Sequence, residues 1–198
     1  TTIGGGTAGT MMANHLRRRL PASKWRMTVV DRSEKHLYQP GFLFLPFGIY
    51  DESQIVRQTR DFMPRGVEFV QAEVDQITPQ DHAVTLKDGR ELKYDVLIVA
   101  TGCRTAPEET EGMLGPKWRV NVHDFYTLDG AKALREKLQN FTGGRVVVHI
   151  TEMPIKCPVA PLEFTFLADT FFRERGIREK VTLTYVTPLS GAFTKPKA

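Results

Sequence analysis

The chain is poor in cysteine. Only Cys103 and Cys157 occur in 198 residues, too few for a disulfide-stapled scaffold, so both are read as free or reactive thiols. Long apolar runs are missing too: none reaches the roughly 18 residues that a membrane-spanning helix needs. No leader with a charged start and an apolar centre is visible. The five histidines (His15, His36, His82, His123, His149) are scattered. Neither an H-E-x-x-H run nor paired C-x-x-C motifs occur, so no zinc site of familiar spacing is expected. Repeats at solenoid spacing and low-complexity segments are absent. Aromatic and basic residues are not interleaved as in RNA-binding modules. A net charge of +4 favours anionic partners only weakly, and no nucleic-acid partner is expected. Arg17-Arg18-Arg19 is read as a solvated helix face, with a membrane-surface patch as the weaker alternative.

What is present suits a globular protein of one large or two small domains, with 41% hydrophobic and 25% charged residues. Ile3 ends a strand, and Gly4-Gly5-Gly6-Thr7-Ala8-Gly9 follows. Thr10 to Leu20 then carries Met11, Met12, His15, Leu16 and Leu20 at helical spacing, and Pro21 stops it. Arg26 to Val30 reads as a second strand closing at Asp31. The spacing predicts a helix over Ser53 to Met63 and one strand over Glu68 to Val74. An Asp-Gly hairpin joins His82–Leu86 to Glu91–Tyr94, and Asp95–Ala100 reads as a buried strand. Thr105 to Pro116 is a turn-rich linker. Leu128 to Leu138 and Leu162 to Arg175 read as helices, the latter capped by Gly176. Arg145–Ile150 and Val181–Val186 read as strands. The chain opens inside what reads as the end of a strand, so a few native N-terminal residues are taken to be lacking. Lys195-Pro196-Lys197-Ala198 does not read as a natural domain end.

Gly4, Gly6 and Gly9 fit G-x-G-x-x-G between a strand and a helix. The first allows the tight turn, the second lets backbone approach a pyrophosphate, and the third lets helix and strand pack closely. Asp31, at the end of the next strand, is placed to accept from an adenosine ribose. The alternative is a glycine-rich turn that binds nothing. After the apolar strand Val146 to Ile150, where a second dinucleotide site would need glycines, the sequence instead reads Met153-Pro154-Ile155-Lys156-Cys157-Pro158-Val159-Ala160-Pro161-Leu162-Glu163. A helix start and a neighbouring lysine both favour a thiolate. Glu163 could accept a proton but would also oppose the thiolate. Cys157 therefore stands open between a small buried hydrophobe and a nucleophile. Cys103, directly after Ala100-Thr101-Gly102, is read first as a space-filling residue at a loop start, with a reactive thiol beside a bound cofactor as the alternative. The aromatic stretch Tyr38 to Phe47 is read as loop-like and structural, with an apolar binding surface as the alternative.

Taken together, Ile3–Gly9, Val29–Ser33, Tyr38–Pro40, Asp95–Gly102 and Pro154–Glu163 resemble the sulfide:quinone oxidoreductases, with the flavocytochrome c sulfide dehydrogenases as close relatives. The run Ile155-Lys156-Cys157-Pro158-Val159-Ala160-Pro161 is the most specific part. The resemblance implies an α/β fold: a Rossmann-like FAD-binding domain with a β-hairpin insert, plus part of a second Rossmann-like domain. The expected domains are 1–106, the first segment of the FAD-binding domain, and 107–198, a truncated nucleotide-binding-like domain without the glycine motif. FAD would lie with Gly4, Gly6 and Gly9 at its pyrophosphate and Asp31 at its ribose. Val74 would contact the adenine side through backbone. Ala100, Thr101 and Gly102 would lie close to the cofactor, and Pro40 near its ring system.

Cys157 matches one of two redox cysteines, and Glu163 matches a proposed proton acceptor. Sulfide would be oxidised there and its electrons passed through flavin to a quinone. Members of the family are longer, so the chain is read as a fragment. The missing part would carry the second cysteine, a further FAD segment and the membrane-facing helices, which implies a peripheral membrane or cytoplasmic location. Self-association as a homo-oligomer stays open. Some members carry another cysteine in the linker, near the place where Tyr126 stands here. The rival readings are a type II NADH:quinone oxidoreductase, a sulfide dehydrogenase donating to a cytochrome, and a flavin-free scaffold.

Overall fold

The computed structural model describes residues 1–192, so the expectation about Lys195 to Ala198 lies outside the described residues. In chain order, β1 (Thr2–Ile3), α1 (Thr7–Arg17), β2 (Met27–Asp31) and β3 (Lys35–Leu37) lead to two short helices, α2 (Gly41–Phe44) and α3 (Glu52–Ile55). Then come β4 (Val56–Gln58), β5 (Val67–Gln71), β6 (Val74–Thr78), β7 (Ala83–Leu86), β8 (Glu91–Lys93) and β9 (Ile98–Val99). The last elements are α4 (Leu128–Gln139), β10 (Gly144–His149), α5 (Ala160–Glu174) and β11 (Val181–Val186).

These elements form two compact units. The first comprises Thr1–Tyr38 and Glu52–Arg104, the second Gln39–Asp51 and Thr105–Ala198. The expected division placed 1–106 in one domain; residues 39–51 instead pack with the second unit, because Leu43 joins its core and Phe44 and Phe47 pack against it. The part of the aromatic stretch from Phe42 to Phe47 is therefore packed structure, while Tyr38 is 52% exposed and belongs to the first unit. The packed part is also not a loop: α2 is followed at once by a 3-10 turn, Leu45–Phe47.

In the first unit a parallel sheet runs β5-β2-β1-β9. Its strands are short and rich in β-branched residues, and both faces carry buried side chains, as a sheet flanked by other layers requires. Ile3, Val30, Val70, Val84 and Leu86 form one cluster. Ala13, Val29 and Phe69 form another, beneath α1. A three-stranded antiparallel sheet, β6-β7-β8, is the insert, and Gly89 (φ +86°) makes its Asp-Gly turn. The α/β class and the hairpin insert thus agree with the sequence reading.

Three expectations are corrected here. The helix read over 53–63 is one turn, then β4 paired antiparallel with β3, then a 3-10 turn over Thr59–Phe62. Pairing with β3 and the bond from Thr59 N–H to the Glu34 carbonyl (2.7 Å) outweigh the helical spacing. The strand read over 68–74 breaks after Gln71, where Ala72 N–H bonds the Asp31 carbonyl (2.9 Å), and β6 then leaves for the insert. The strand read as buried over 95–100 pairs only at Ile98 and Val99, and Val96 and Val99 are 56% and 61% exposed.

The second unit is a β-α-β arrangement. β10 and β11 pair in parallel from Gly144↔Val181 to His149↔Val186, with α5 as the crossover. Leu138, Val148, Phe164, Ala168, Phe172 and Val181 make the core with Leu43. At the start of α4 the Thr127 hydroxyl accepts from Gly130 N–H (3.0 Å), the usual N-cap bond. No helix among the described residues is long and apolar enough to cross a membrane.

Candidate functional site

The glycine loop joins β1 to α1. Gly4 has φ +99°, a conformation open to glycine and strained for other residues. A Cβ there would overlap the Ala100 carbonyl group, 2.6 Å from its carbon. A Cβ on Gly9 would strike the Gly4 carbonyl, 2.9 Å from its carbon. These two glycines allow the loop, α1 and the Ala100-Thr101-Gly102 turn to close on one another. Gly6 differs: a Cβ there would meet nothing within 4 Å. It faces free space beside the first turn of α1, where unpaired N–H groups and the helix dipole favour an anion. Two glycines thus shape the loop and one is left unobstructed, a form that fits a dinucleotide pyrophosphate.

Asp31 is brought to this loop. Its Oδ2 accepts from Gly5 N–H (2.6 Å) and its Oδ1 from Ser33 N–H (2.8 Å). A carboxylate has further lone pairs, so a ribose hydroxyl can still be accepted. Ala100 N–H donates to the Ile3 carbonyl (2.7 Å) and Gly4 N–H to the Val30 carbonyl (2.7 Å), which tie the turn and the loop to the sheet. Thr101 and Gly102 are exposed beyond it. Val74 opens β6 opposite Leu86.

Three residues of this loop region were not singled out from sequence. Gly5 is wedged against Thr59 Cγ2 (3.0 Å), Asp31 Cβ (3.3 Å) and Phe69 Cε2 (3.4 Å) at its missing Cβ. His36 Nδ1, in its Nδ1-protonated tautomer, donates to the Gly5 carbonyl (3.2 Å). Thr59 is buried behind them. Gly5 stands inside the glycine run and could have been flagged there. His36 and Thr59 reach the loop only through the β3–β4 pairing, which periodicity did not reveal.

The remaining site residues lie in the second unit. Cys157 is exposed and takes φ +53°, three residues before α5. Its carbonyl accepts from Ala160 N–H (3.1 Å) and from the Tyr126 hydroxyl (3.2 Å). The reading of Cys157 as a buried hydrophobe is therefore removed. Lys156 Nζ donates to Gln39 Oε1, so the cysteine loop is bonded to the residue preceding Pro40. Pro40 is exposed at the head of α2. The structure thus brings Pro40 and the Cys157 loop into one neighbourhood.

Glu163 sits in the first turn of α5 with its side chain exposed, and no hydrogen bond joins it to Cys157 among the described residues. A carboxylate in a first turn is favoured by the helix dipole, which gives Glu163 a structural role of its own. Burial raises the Tyr126 phenol well above its ordinary value, and the nearby Cys157 and Tyr185 add to the rise. Cys103 is exposed rather than space-filling in the described structure.

A glycine loop that closes on its own sheet, followed by a second β-α-β unit without one, defines a two-dinucleotide-domain architecture. The chain belongs to the pyridine nucleotide-disulphide oxidoreductase family, whose model matches residues 2–149; members of this family bind FAD. The mitochondrial sulfide:quinone oxidoreductase of Dictyostelium discoideum is 30% identical over 196 residues, 98% of this chain and 43% of that protein. The corresponding Mus musculus protein is 29% identical over 191 residues, 96% of this chain and 42% of that protein. The X-ray structure of the sulfide:quinone oxidoreductase from the hyperthermophilic bacterium Aquifex aeolicus aligns with a TM-score of 0.78 at 26% identity. That alignment covers 94% of this chain and 42% of the other. The chain therefore spans less than half the length of the curated relatives it matches. The resemblance seen in the sequence agrees with these matches.

Proposed function

We propose that the protein containing these residues is an FAD-dependent oxidoreductase that oxidises sulfide and passes the electrons to a quinone. Gly4, Gly6 and Gly9 bind the cofactor's pyrophosphate, and Asp31 accepts from its ribose. Backbone at Val74 meets the adenine side, Ala100, Thr101 and Gly102 line the cofactor, and Pro40 serves its ring end. FAD, when bound, supplies a two-electron acceptor that can be emptied again by a quinone. Cys157 is one half of the sulfur-accepting pair: when it is bonded to the second redox cysteine as a disulfide, hydrosulfide opens that bond, one cysteine keeps the added sulfur as a persulfide, and the other leaves as the thiolate, the nucleophilic form of the side chain, whose electron pair goes to FAD so that the oxidised pair is restored. Glu163 takes up a proton at the same helix start. The second redox cysteine, the quinone site and attachment to a membrane surface belong to the rest of the longer protein.

The observation that carries this reading is the exposed cysteine that stands after β10 in place of a glycine loop. The same observation disfavours an NADH dehydrogenase, which would need close backbone approach to a second dinucleotide at that turn. The test is Cys157→Ser in the full-length protein. Flavin absorbance shows FAD retained, while its bleaching by sulfide is abolished. Bleaching at the normal rate in that variant would discard the mechanism.

A further inference from the structure

We infer that Tyr126 is a positioning residue for Cys157: its hydroxyl grips the Cys157 carbonyl and holds the left-handed turn from which the thiol is presented. The inference rests on the reading of Cys157 as the redox sulfur.

Cys157 has φ +53°, a backbone state that a side-chain-bearing residue keeps only when its surroundings enforce it. Two bonds to the Cys157 carbonyl do so. One comes from Ala160 N–H (3.1 Å) and is local to α5. The other comes from Tyr126 (3.2 Å), outside that loop and helix; the Lys156 side chain ties the loop to Gln39, but the Tyr126 bond is the one that reaches the Cys157 backbone itself from elsewhere in the unit.

Tyr126 is itself firmly based. Its N–H and that of Thr127 both donate to Asp124 Oδ2 (3.1 and 3.0 Å), and Asp124 is ion-paired with Arg119. Next to it, Phe125 stacks on Phe164 of α5 with ring centres 4.7 Å apart and planes within 10°. The start of α4 and the start of α5 are thereby locked together, with Tyr126 reaching from one to the other. Burial keeps the phenol protonated, so it remains a donor. The role is steric and directional. No proton or electron passes through Tyr126.

The test uses the full-length FAD-bound protein, reduced beforehand, with Cys103→Ser as background, and reads iodoacetamide labelling on the peptide that carries Cys157 by mass spectrometry, so that it is not confused with labelling at any other thiol. Tyr126→Phe keeps the ring and removes the grip. Loss of one hydrogen bond of ordinary net strength predicts about a fivefold fall in the Cys157 labelling rate. The maximal rate of sulfide-dependent flavin reduction falls similarly, and the half-saturating sulfide concentration is unchanged. 4-Aminophenylalanine at position 126, a donor that does not ionise as a phenol does, restores both rates. If Tyr126→Phe fails to fold, Tyr126→Leu supplies the same comparison. Wild-type labelling and reduction in the donor-free variant would overturn the inference, as would failure of the amino analogue to restore them. Normal flavin reduction by sulfide in Cys157→Ser would instead sink the reading beneath it, whatever Tyr126 does.

Discussion

At the scale of single residues, the three motif glycines make different demands that one experiment can separate. An alanine at Gly4 or Gly9 must displace backbone and, at Gly4, occupy a positive φ, which together cost about 1–3 kcal/mol. Gly4→Ala is expected to lower the thermal midpoint and to lose bound flavin together. Gly6→Ala meets nothing in the protein, so it is expected to melt like the wild type while binding FAD more weakly; calorimetry and flavin content on the same preparation check this. The pattern Gly4, Gly6, Gly9 was legible in the sequence because its spacing is local. The tight seat of Gly5 was not, because its neighbours Thr59 and Phe69 arrive from elsewhere in the chain. Cys157 was legible as an anomaly of position, but its exposure and its left-handed backbone were not, since no neighbouring residue type announces either.

At the scale of elements, the helices and strands of the second unit were read nearly as they stand, whereas the stretch from Ser53 to Thr78 was not. There the chain is divided among short pieces, and each owes its conformation to a partner: β4 to β3, β5 to β2, β6 to β7. Periodicity cannot see such partners. The second unit depends instead on one apolar centre. Phe172 is completely buried and belongs to its core cluster, so Phe172→Ala is expected to destabilise by about 3–5 kcal/mol, measurable by denaturant titration.

The same unit has an acid-sensitive point in His123, ahead of α4. Burial holds its imidazole below the ordinary value of 6.5, assisted by Lys137 and Arg119 and opposed by the Val120 backbone and Asp124. The ring nitrogens are buried without a well-formed hydrogen bond. The unfolded chain then binds the proton more readily than the folded one, so stability is lost as pH falls from about 6.5. His123→Gln is expected to flatten that acid-side slope in unfolding curves taken at several pH values.

At the scale of the whole molecule, the family match and the α/β layout agree with the sequence reading, while the division of the chain was more interwoven than a single cut suggests. The absence of a second glycine loop makes a further prediction. In the full-length protein NADH is expected to leave the flavin oxidised over times in which sulfide bleaches it; rapid bleaching by NADH in a stopped-flow trace would promote the dehydrogenase reading instead.

The interweaving has a practical outcome. Because residues 39–51 are threaded out of the first unit, donate Leu43 to the second unit's core, and are then threaded back, severing the chain near Arg104 does not yield two self-sufficient halves. The N-terminal piece would dangle an orphaned greasy strap, and the C-terminal piece would lack a wall of its interior. Expression of either half alone is expected to give insoluble or protease-sensitive material, and co-expression of the two to rescue both.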